Sequence, residues 1–297
     1  MKKLFNLLII ISFLFICLYL WKQEVIIPVL PHTRWIAPSL ILLFLGFYVS
    51  TLSWKTALRV HHRPIRHRDA VVSHGQAVFA KYIPGKVWVI LGRASYISAN
   101  NTDLKNTSFV SLKEQLIYTW VGFLVSAIPT ILFYGIQWIT ILIVLIIVLL
   151  TLFLFFPSVH HFTLRVFRKI TRRELELPVI NFRRSLPVIR STSLIWLAWT
   201  LSFYFFMRIF SNDIDVVMAF AFPLSVSFGL IAIILPGGLG LREGIIIGYL
   251  TLAGMDIETA TTISFLNRFA FIAGEVFIFL LALIFRLAGK KKPGADS

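Results

Sequence analysis

The chain of 297 residues is 58% hydrophobic and only 14% charged, whereas soluble domains carry about a quarter charged residues. These values exclude a soluble protein and predict an all-α polytopic membrane bundle, with residues 1–297 forming one membrane domain. A net charge of +16 suits nucleic acid in a soluble protein, but here the basic residues cluster between apolar runs. We interpret the charge as the bias of cytoplasmic loops and expect no nucleic-acid partner.

Seven apolar runs approach the length of about 20 residues that a helix needs to cross a bilayer. They are 4–21, 35–54, 115–134, 138–156, 194–210, 216–235 and 263–285. With the apolar but interrupted stretches 70–100 and 236–254, we expect about seven or eight spans, one or two of them re-entrant or broken. The run 4–21 has no small-x-small cleavage site after it and is interpreted as an uncleaved span.

Three basic clusters are expected to face the cytoplasm. The first follows the run 35–54, the second fills a loop at 157–190, and the third is a tail at 286–297. The sequence therefore predicts a plasma (inner) membrane protein with both termini in the cytoplasm. Since the chain is inside on both sides of 70–100, this stretch should enter and return from the cytoplasm as a re-entrant hairpin, with a helix on the cytoplasmic surface as the alternative. Residues 236–262 should instead cross, as a discontinuous span.

The motif PGGLGLREG begins at Pro236, directly after the apolar run 216–235. Charged residues and irregular backbone are costly at membrane depth, so the motif should line a polar cavity or be packed within protein. Gly237 and Gly238 would let the chain turn. A helix beginning near Gly240 would point free N–H groups at an anion, and Arg242 would bind a phosphate.

The alternative is structural, with Glu243 offsetting the helix dipole and the glycines present for packing. The glycines at 240, 244 and 248 share one helix face and predict close approach to a neighbour.

An earlier break, Pro84-Gly85-Lys86, is followed by Arg93. Lys86 and Arg93 are seven residues apart, so both cations could reach one phosphate from one helix face; the alternative is snorkelling to headgroups. The two Pro-Gly breaks indicate an internal repeat of the kind that frames transporter binding sites, with chance similarity as the alternative.

Acidic residues also occur within apolar runs. Glu275 follows Arg268 by seven residues, too far for direct contact, so each should pair with another helix or with a ligand. Glu114 begins a span and is a further candidate for ligand binding. The alternative is that it lies at the membrane interface beside Lys113. No metal-ligand spacing is present, and the chain's one cysteine excludes an internal disulfide.

PGGLGLREG resembles the hallmark of the flippase-like family that includes the transmembrane region of lysylphosphatidylglycerol synthase. That family also has a Pro-Gly-basic motif ending in arginine, a Glu-Arg-x-x-Asp motif and an arginine in the last span. Arg93, Glu114 and Arg268 match these, whereas Gln115 and Tyr118 replace the Arg and Asp. No aminoacyltransferase domain is expected, so lysyl transfer is not implied.

The resemblance implies a translocator of an anionic lipid or polyprenyl-phosphate-linked saccharide in cell-envelope or surface-glycan assembly. We expect no catalytic residue, cofactor or metal. The alternatives are a membrane glycosyltransferase and a scaffold that assists a glycosyltransferase or lipid synthase. A lipid phosphatase is disfavoured because no histidine follows His161 to act as nucleophile. The candidate binding residues are Pro84, Gly85, Lys86, Arg93, Glu114, Pro236, Gly237, Gly238, Gly240, Arg242, Glu243, Arg268 and Glu275.

Overall fold

The computed structural model describes residues 30–83, 87–98, 101–171, 181–232 and 235–288. These residues form α-helices joined by loops and 3-10 turns, with no strand among them. The helices are α1 (Ile36–Val60), α2 (His67–Ala77), α3 (Val87–Ile97), α4 (Asn101–Tyr134), α5 (Trp138–Phe155), α6 (Pro157–Thr171), α7 (Phe182–Met207), α8 (Ala221–Ile231), α9 (Leu241–Leu252) and α10 (Ile257–Ala288). The run 4–21 and most of the basic tail lie outside the described residues.

Four segments of the described chain are long and apolar enough to cross a membrane. They are Thr33–Val60, Asp103–Tyr134, Trp138–Phe155 and Ile257–Ala288. They contain α1, most of α4, α5 and α10, and they confirm an all-α polytopic membrane bundle.

The predicted loop at 157–190 is largely helical. Pro157 opens α6 at a position where its missing N–H costs no hydrogen bond. Asn181 caps α7 by accepting a hydrogen bond from the Arg184 N–H at 3.3 Å, so this helix begins well before the apolar run at 194. Its first turns carry arginines that the sequence assigned to a loop.

Helices α1 and α7 form the most extensive helix pair of the bundle. Ser39 donates to the Ser202 carbonyl at 3.0 Å, and Ser202 donates to the Ser39 carbonyl at 2.8 Å. One turn further along α1, Trp199 Nε1 donates to the Leu43 carbonyl at 3.1 Å. This approach depends on Gly46, where an added Cβ would lie 2.3 Å from Trp199 Nε1.

Helices α2 and α3 pack together as a hairpin, and each has 11 residues. A helix of this length covers about 16 Å, roughly half of a bilayer core. Near the start of α2, Arg68 Nε donates a hydrogen bond to the Phe285 carbonyl, which lies close to the end of α10, at 2.9 Å. Beyond α3, Asp103 at the start of α4 forms an ion pair with Arg63 in the α1–α2 loop. Both ends of the hairpin therefore lie at one end of the bundle.

Helices α8 and α9 form a second hairpin, whose two ends lie at the other end of the bundle. Tyr134, the last residue of α4, donates to the Tyr249 carbonyl of α9 at 2.6 Å. Asp215, just before α8, lies within electrostatic range of both tyrosines. By contrast, Phe228 near the end of α8 stacks edge-on against Phe123, in the middle of α4.

The predicted full crossing at 216–235 is therefore wrong, as is the predicted crossing of residues 236–262. Helix α8 ends at Ile231, and α9 returns along it towards the end from which α8 came. Length and hydropathy alone suggested a span, but the positive φ angles of Gly237 and Gly238, 59° and 72°, reverse the chain midway.

The same order of helices thus occurs twice in the chain, and the two hairpins enter the bundle from opposite ends. A long helix, two short hairpin helices and a helix of more than 30 residues follow one another in α1–α4 and again in α7–α10. Helices α5 and α6 lie between these two units in the chain. The arrangement supports the internal repeat indicated by the two Pro-Gly breaks, and the opposed hairpins make it an inverted one.

Basic residues of all three clusters gather at the end where the first hairpin begins, which we name the basic end. Arg68 lies there beside Arg286, whose carbonyl it also approaches. Partial burial lowers the pKa of His61 to about 4, and the nearby charges of Lys113 and Arg184 add to this effect.

The opposed hairpins can be tested by cysteine labelling in a Cys17→Ser background. We expect an impermeant maleimide to reach Asp213→Cys and Glu258→Cys from one face of the membrane and Arg66→Cys from the other. Leu235→Cys should resist labelling from the face that exposes Arg66→Cys, because it lies near the midway turn. Equal labelling of Leu235→Cys and Arg66→Cys from that face would contradict the opposed hairpins and favour a full crossing by residues 216–235.

The glycines at 240, 244 and 248 do not mediate close packing, contrary to the sequence prediction. A Cβ at any of them would meet no atom within 4 Å, because this face of α9 points away from the described helices. Periodicity identified a shared face but could not tell which face packs. Tight helix contacts instead occur at glycines elsewhere, including Gly46 and Gly274.

We therefore predict that Gly46→Ala lowers stability by about 1–3 kcal/mol, since the new methyl group overlaps Trp199. The matched control Gly244→Ala should be neutral or stabilising by up to about 1 kcal/mol, as expected where a helical glycine has free space. Thermal unfolding in detergent would compare them, and equal losses would contradict the close approach at α1 and α7.

Candidate functional site

The tips of the two hairpins meet inside the bundle. The 3-10 turn Val78–Tyr82 after α2 contacts the 3-10 turn Pro236–Gly238 between α8 and α9. A Cβ on Gly237 would lie 2.7 Å from the Tyr82 ring, and one on Gly238 would lie 3.0 Å from the Gly229 Cα. A larger residue at 237 would push the tips apart, and one at 238 would push α8 and α9 apart. Both glycines have positive φ angles and serve the turning role that the sequence predicted.

Helix α10 passes both tips and contacts them through two charged residues near its middle, Arg268 and Glu275. Arg268 donates from Nη1 and Nη2 to the Gly237 carbonyl, each at 3.3 Å, and its Nη1 lies 3.8 Å from Glu243 Oε1. Glu275 is completely buried, accepts a hydrogen bond from the Tyr82 hydroxyl at 2.9 Å and forms an ion pair with Lys81. Arg268 and Glu275 thus pair with other elements, as their spacing predicted.

The start of α9 is capped from within. Glu243 Oε2 accepts the Gly240 backbone N–H at 2.7 Å, as in a capping box. This contact fits the structural role at the start of α9 that the sequence allowed for Glu243. The carboxylate occupies a position that a bound anion would otherwise take. The Gly240 N–H is therefore not free, and the predicted role of this N–H in anion binding is wrong for the structure described.

Arg242 is the cation of this cluster that forms no ion pair with a described residue, because the nearby acids Glu243 and Glu275 are paired with other cations. The residue is only 6% exposed, and its buried Nε has no hydrogen-bond partner. Its guanidinium carbon lies 4.9 Å from the ring centre of Phe271 and 5.8 Å from that of Phe222. Stacking of this kind contributes about 2 kcal/mol when the cation is desolvated, which is less than the several kcal/mol that an uncompensated buried ion costs.

Arg93 and Glu114 form a separate buried pair between α3 and α4. Arg93 Nη1 lies 2.6 Å from Glu114 Oε2, and the two side chains are 2% and 7% exposed. Arg93 also donates to the Ser111 carbonyl at 2.7 Å and stacks on Trp54, with 4.4 Å from its guanidinium carbon to the ring centre. Glu114 is thus a buried ion-pair partner, not an interfacial residue.

The predicted site residues consequently fall into two groups. Gly237, Gly238, Arg242, Glu243, Arg268 and Glu275 gather at the hairpin tips, whereas Arg93 and Glu114 form the pair between α3 and α4. Pro236 begins the second tip. Pro84, Gly85 and Lys86 lie outside the described residues, so the proposed sharing of a phosphate by Lys86 and Arg93 stays a prediction. Among the described residues no cluster suited to a metal is present.

Sequence reasoning missed Lys81 and Tyr82, which supply the partners of Glu275. Lys81 lies within the interrupted stretch 70–100, and a lysine there, just before the Pro-Gly break, was a usable signal. The aromatic neighbours of Arg242 could not be found, because Phe222 and Phe271 are two among 28 phenylalanines.

A family model described as the lysylphosphatidylglycerol synthase TM region matches residues 4–288. The chain belongs to this family. It is therefore a multi-pass membrane protein, and its family suggests lipid or cell-envelope biosynthesis. No curated protein and no solved structure matches the chain.

The Arg93–Glu114 pair can be tested by a double-mutant cycle on unfolding in detergent. Glu114→Gln or Arg93→Gln alone should lower stability by about 3–5 kcal/mol, because each leaves one buried charge unpaired. Changing both should cost clearly less than the sum of the two.

The matched control is the Arg63–Asp103 pair, whose side chains are 30% and 28% exposed and whose coupling should be about 0–1 kcal/mol. Additive losses at Arg93 and Glu114 would refute the buried ion pair.

Proposed function

We propose that the protein translocates an anionic lipid, or a polyprenyl-phosphate-linked saccharide, across the membrane in cell-envelope or surface-glycan assembly. The observation that carries the proposal is Arg242, a buried cation without a counter-ion at the point where two opposed hairpins meet. An anionic headgroup is the partner that such a cation lacks.

The surrounding geometry suits a carrier. Substrate sites of transporters built from inverted repeats lie near the middle of the membrane, at the interface of the repeats, between interrupted helices. Here each hairpin reaches about halfway and is held to α10 by one ion pair, Lys81–Glu275 for the first tip and Arg268–Glu243 for the second. Release of one tip would open the site towards one side while the other stays closed.

We further propose that the basic end faces the cytoplasm, which puts both termini there in a plasma membrane protein. Basic residues at this end would hold the protein against anionic headgroups and raise their local concentration.

The test is lipid exchange by purified protein in vesicles that contain an acyl-labelled phosphatidylglycerol, followed by dithionite bleaching of the outer leaflet. We expect complete bleaching with wild-type protein. Arg242→Ala should slow exchange more than about tenfold, because a desolvated anion loses its counter-ion. Arg165→Ala, on the exposed surface of α6, should exchange lipid at the wild-type rate.

The competing functions give different results in the same vesicles. Formation of a new lipid or glycan product would favour a glycosyltransferase, and neither exchange nor product would favour a scaffold. Exchange that survives Arg242→Ala would remove the central premise of the carrier.

A further inference from the structure

We infer that the site at the hairpin tips selects headgroups with a single negative charge, namely phosphodiesters, and rejects phosphomonoesters and diphosphates in their doubly charged forms. The inference rests on the proposed function and narrows its substrate class. It favours a phospholipid diester, or a saccharide joined to its lipid through one phosphate, over a diphosphate-linked saccharide.

Several charged or titratable groups among the described residues surround Arg242. Arg268, Glu243, Tyr82 and Glu275 all lie within electrostatic range of its guanidinium. Lys81 joins the same cluster, since its Nζ lies 5.1 Å from the ring centre of Phe271, the ring on which Arg242 stacks.

Each acid of this cluster already has a cationic partner. Glu275 is paired with Lys81, and this pair is neutral whether the shared proton resides on nitrogen or oxygen. Glu243 is paired with Arg268 at 3.8 Å. The more distant Arg93–Glu114 pair is likewise neutral.

Arg242 keeps its positive charge, because guanidinium groups are not deprotonated in proteins. The described cluster therefore carries one unmatched positive charge. A head with one negative charge makes the occupied site neutral, whereas a head with two leaves one unmatched negative charge in a low-dielectric setting. Charge complementarity thus discriminates between lipids by the net charge of their headgroups. This selection needs no contact with the sugar or glycerol groups of the lipid.

The decisive probe is phosphatidic acid, whose head passes from one to two negative charges as the pH rises through the second ionisation of its phosphate. In the vesicle assay we expect its exchange by wild-type protein to fall about tenfold or more across this range. Phosphatidylglycerol with the same acyl chains keeps one charge, so its exchange should stay constant and report on protonation of the protein itself.

A charge-changing variant sharpens the test. Glu243→Gln keeps an oxygen that can accept the Gly240 N–H but adds one positive charge to the cluster. It should reverse the preference, so that doubly charged phosphatidic acid exchanges faster than phosphatidylglycerol. Arg165→Ala is the control for a lost charge remote from the site and should keep the wild-type preference.

The outcomes separate the two levels of the proposal. Absence of exchange for every lipid, with folded protein shown by an unchanged thermal unfolding temperature, would refute the translocator itself. Equal exchange of singly and doubly charged heads, or an unchanged preference in Glu243→Gln, would refute the charge selection while leaving translocation intact.

Discussion

The structure depends on one constraint: a charged group at membrane depth needs a counter-charge, because the surrounding medium cannot solvate it. The buried acids Glu114, Glu243 and Glu275 meet this requirement through ion pairs with other elements of the bundle. Glu114 and Glu243 pair with the neighbouring helix in the chain, whereas Glu275 pairs with an element of the other half. Two of these contacts hold the hairpin tips against α10. The ion pairs thus set the architecture of the site, and Arg242 stands out because it has no such partner among the described residues.

The two halves of the bundle satisfy the constraint with reversed charges. In the first half, Arg93 on the second hairpin helix pairs with Glu114 on the following long helix. In the second half, Glu243 and Arg268 occupy corresponding elements with the signs exchanged. The reciprocal serine hydrogen bonds between α1 and α7 join the halves near the start of one helix and the end of the other. An inverted pair of units explains both arrangements.

The sequence was sufficient for the fold class and for much of the site, because an arginine or glutamate within an apolar run is conspicuous. Arg242, Arg268 and Glu275 were found this way. The partners of Glu275 were not, since Lys81 and Glu275 are 194 residues apart and only the folded chain brings them together. Hydropathy measured the length of 216–235 correctly but could not show that α8 stops midway. Helical spacing likewise grouped the α9 glycines without showing that their face is open.

The meeting of the two tips has an electrical consequence. Each hairpin covers about half of the bilayer thickness, so the barrier between the two sides narrows to the layer where Tyr82 touches Gly237. If water fills the approaches, most of the transmembrane voltage falls across this layer. A voltage of 100 mV acts on one elementary charge with about 2.3 kcal/mol. In the proposed carrier, the membrane potential would then drive or oppose the passage of a charged head through this thin layer in a single step.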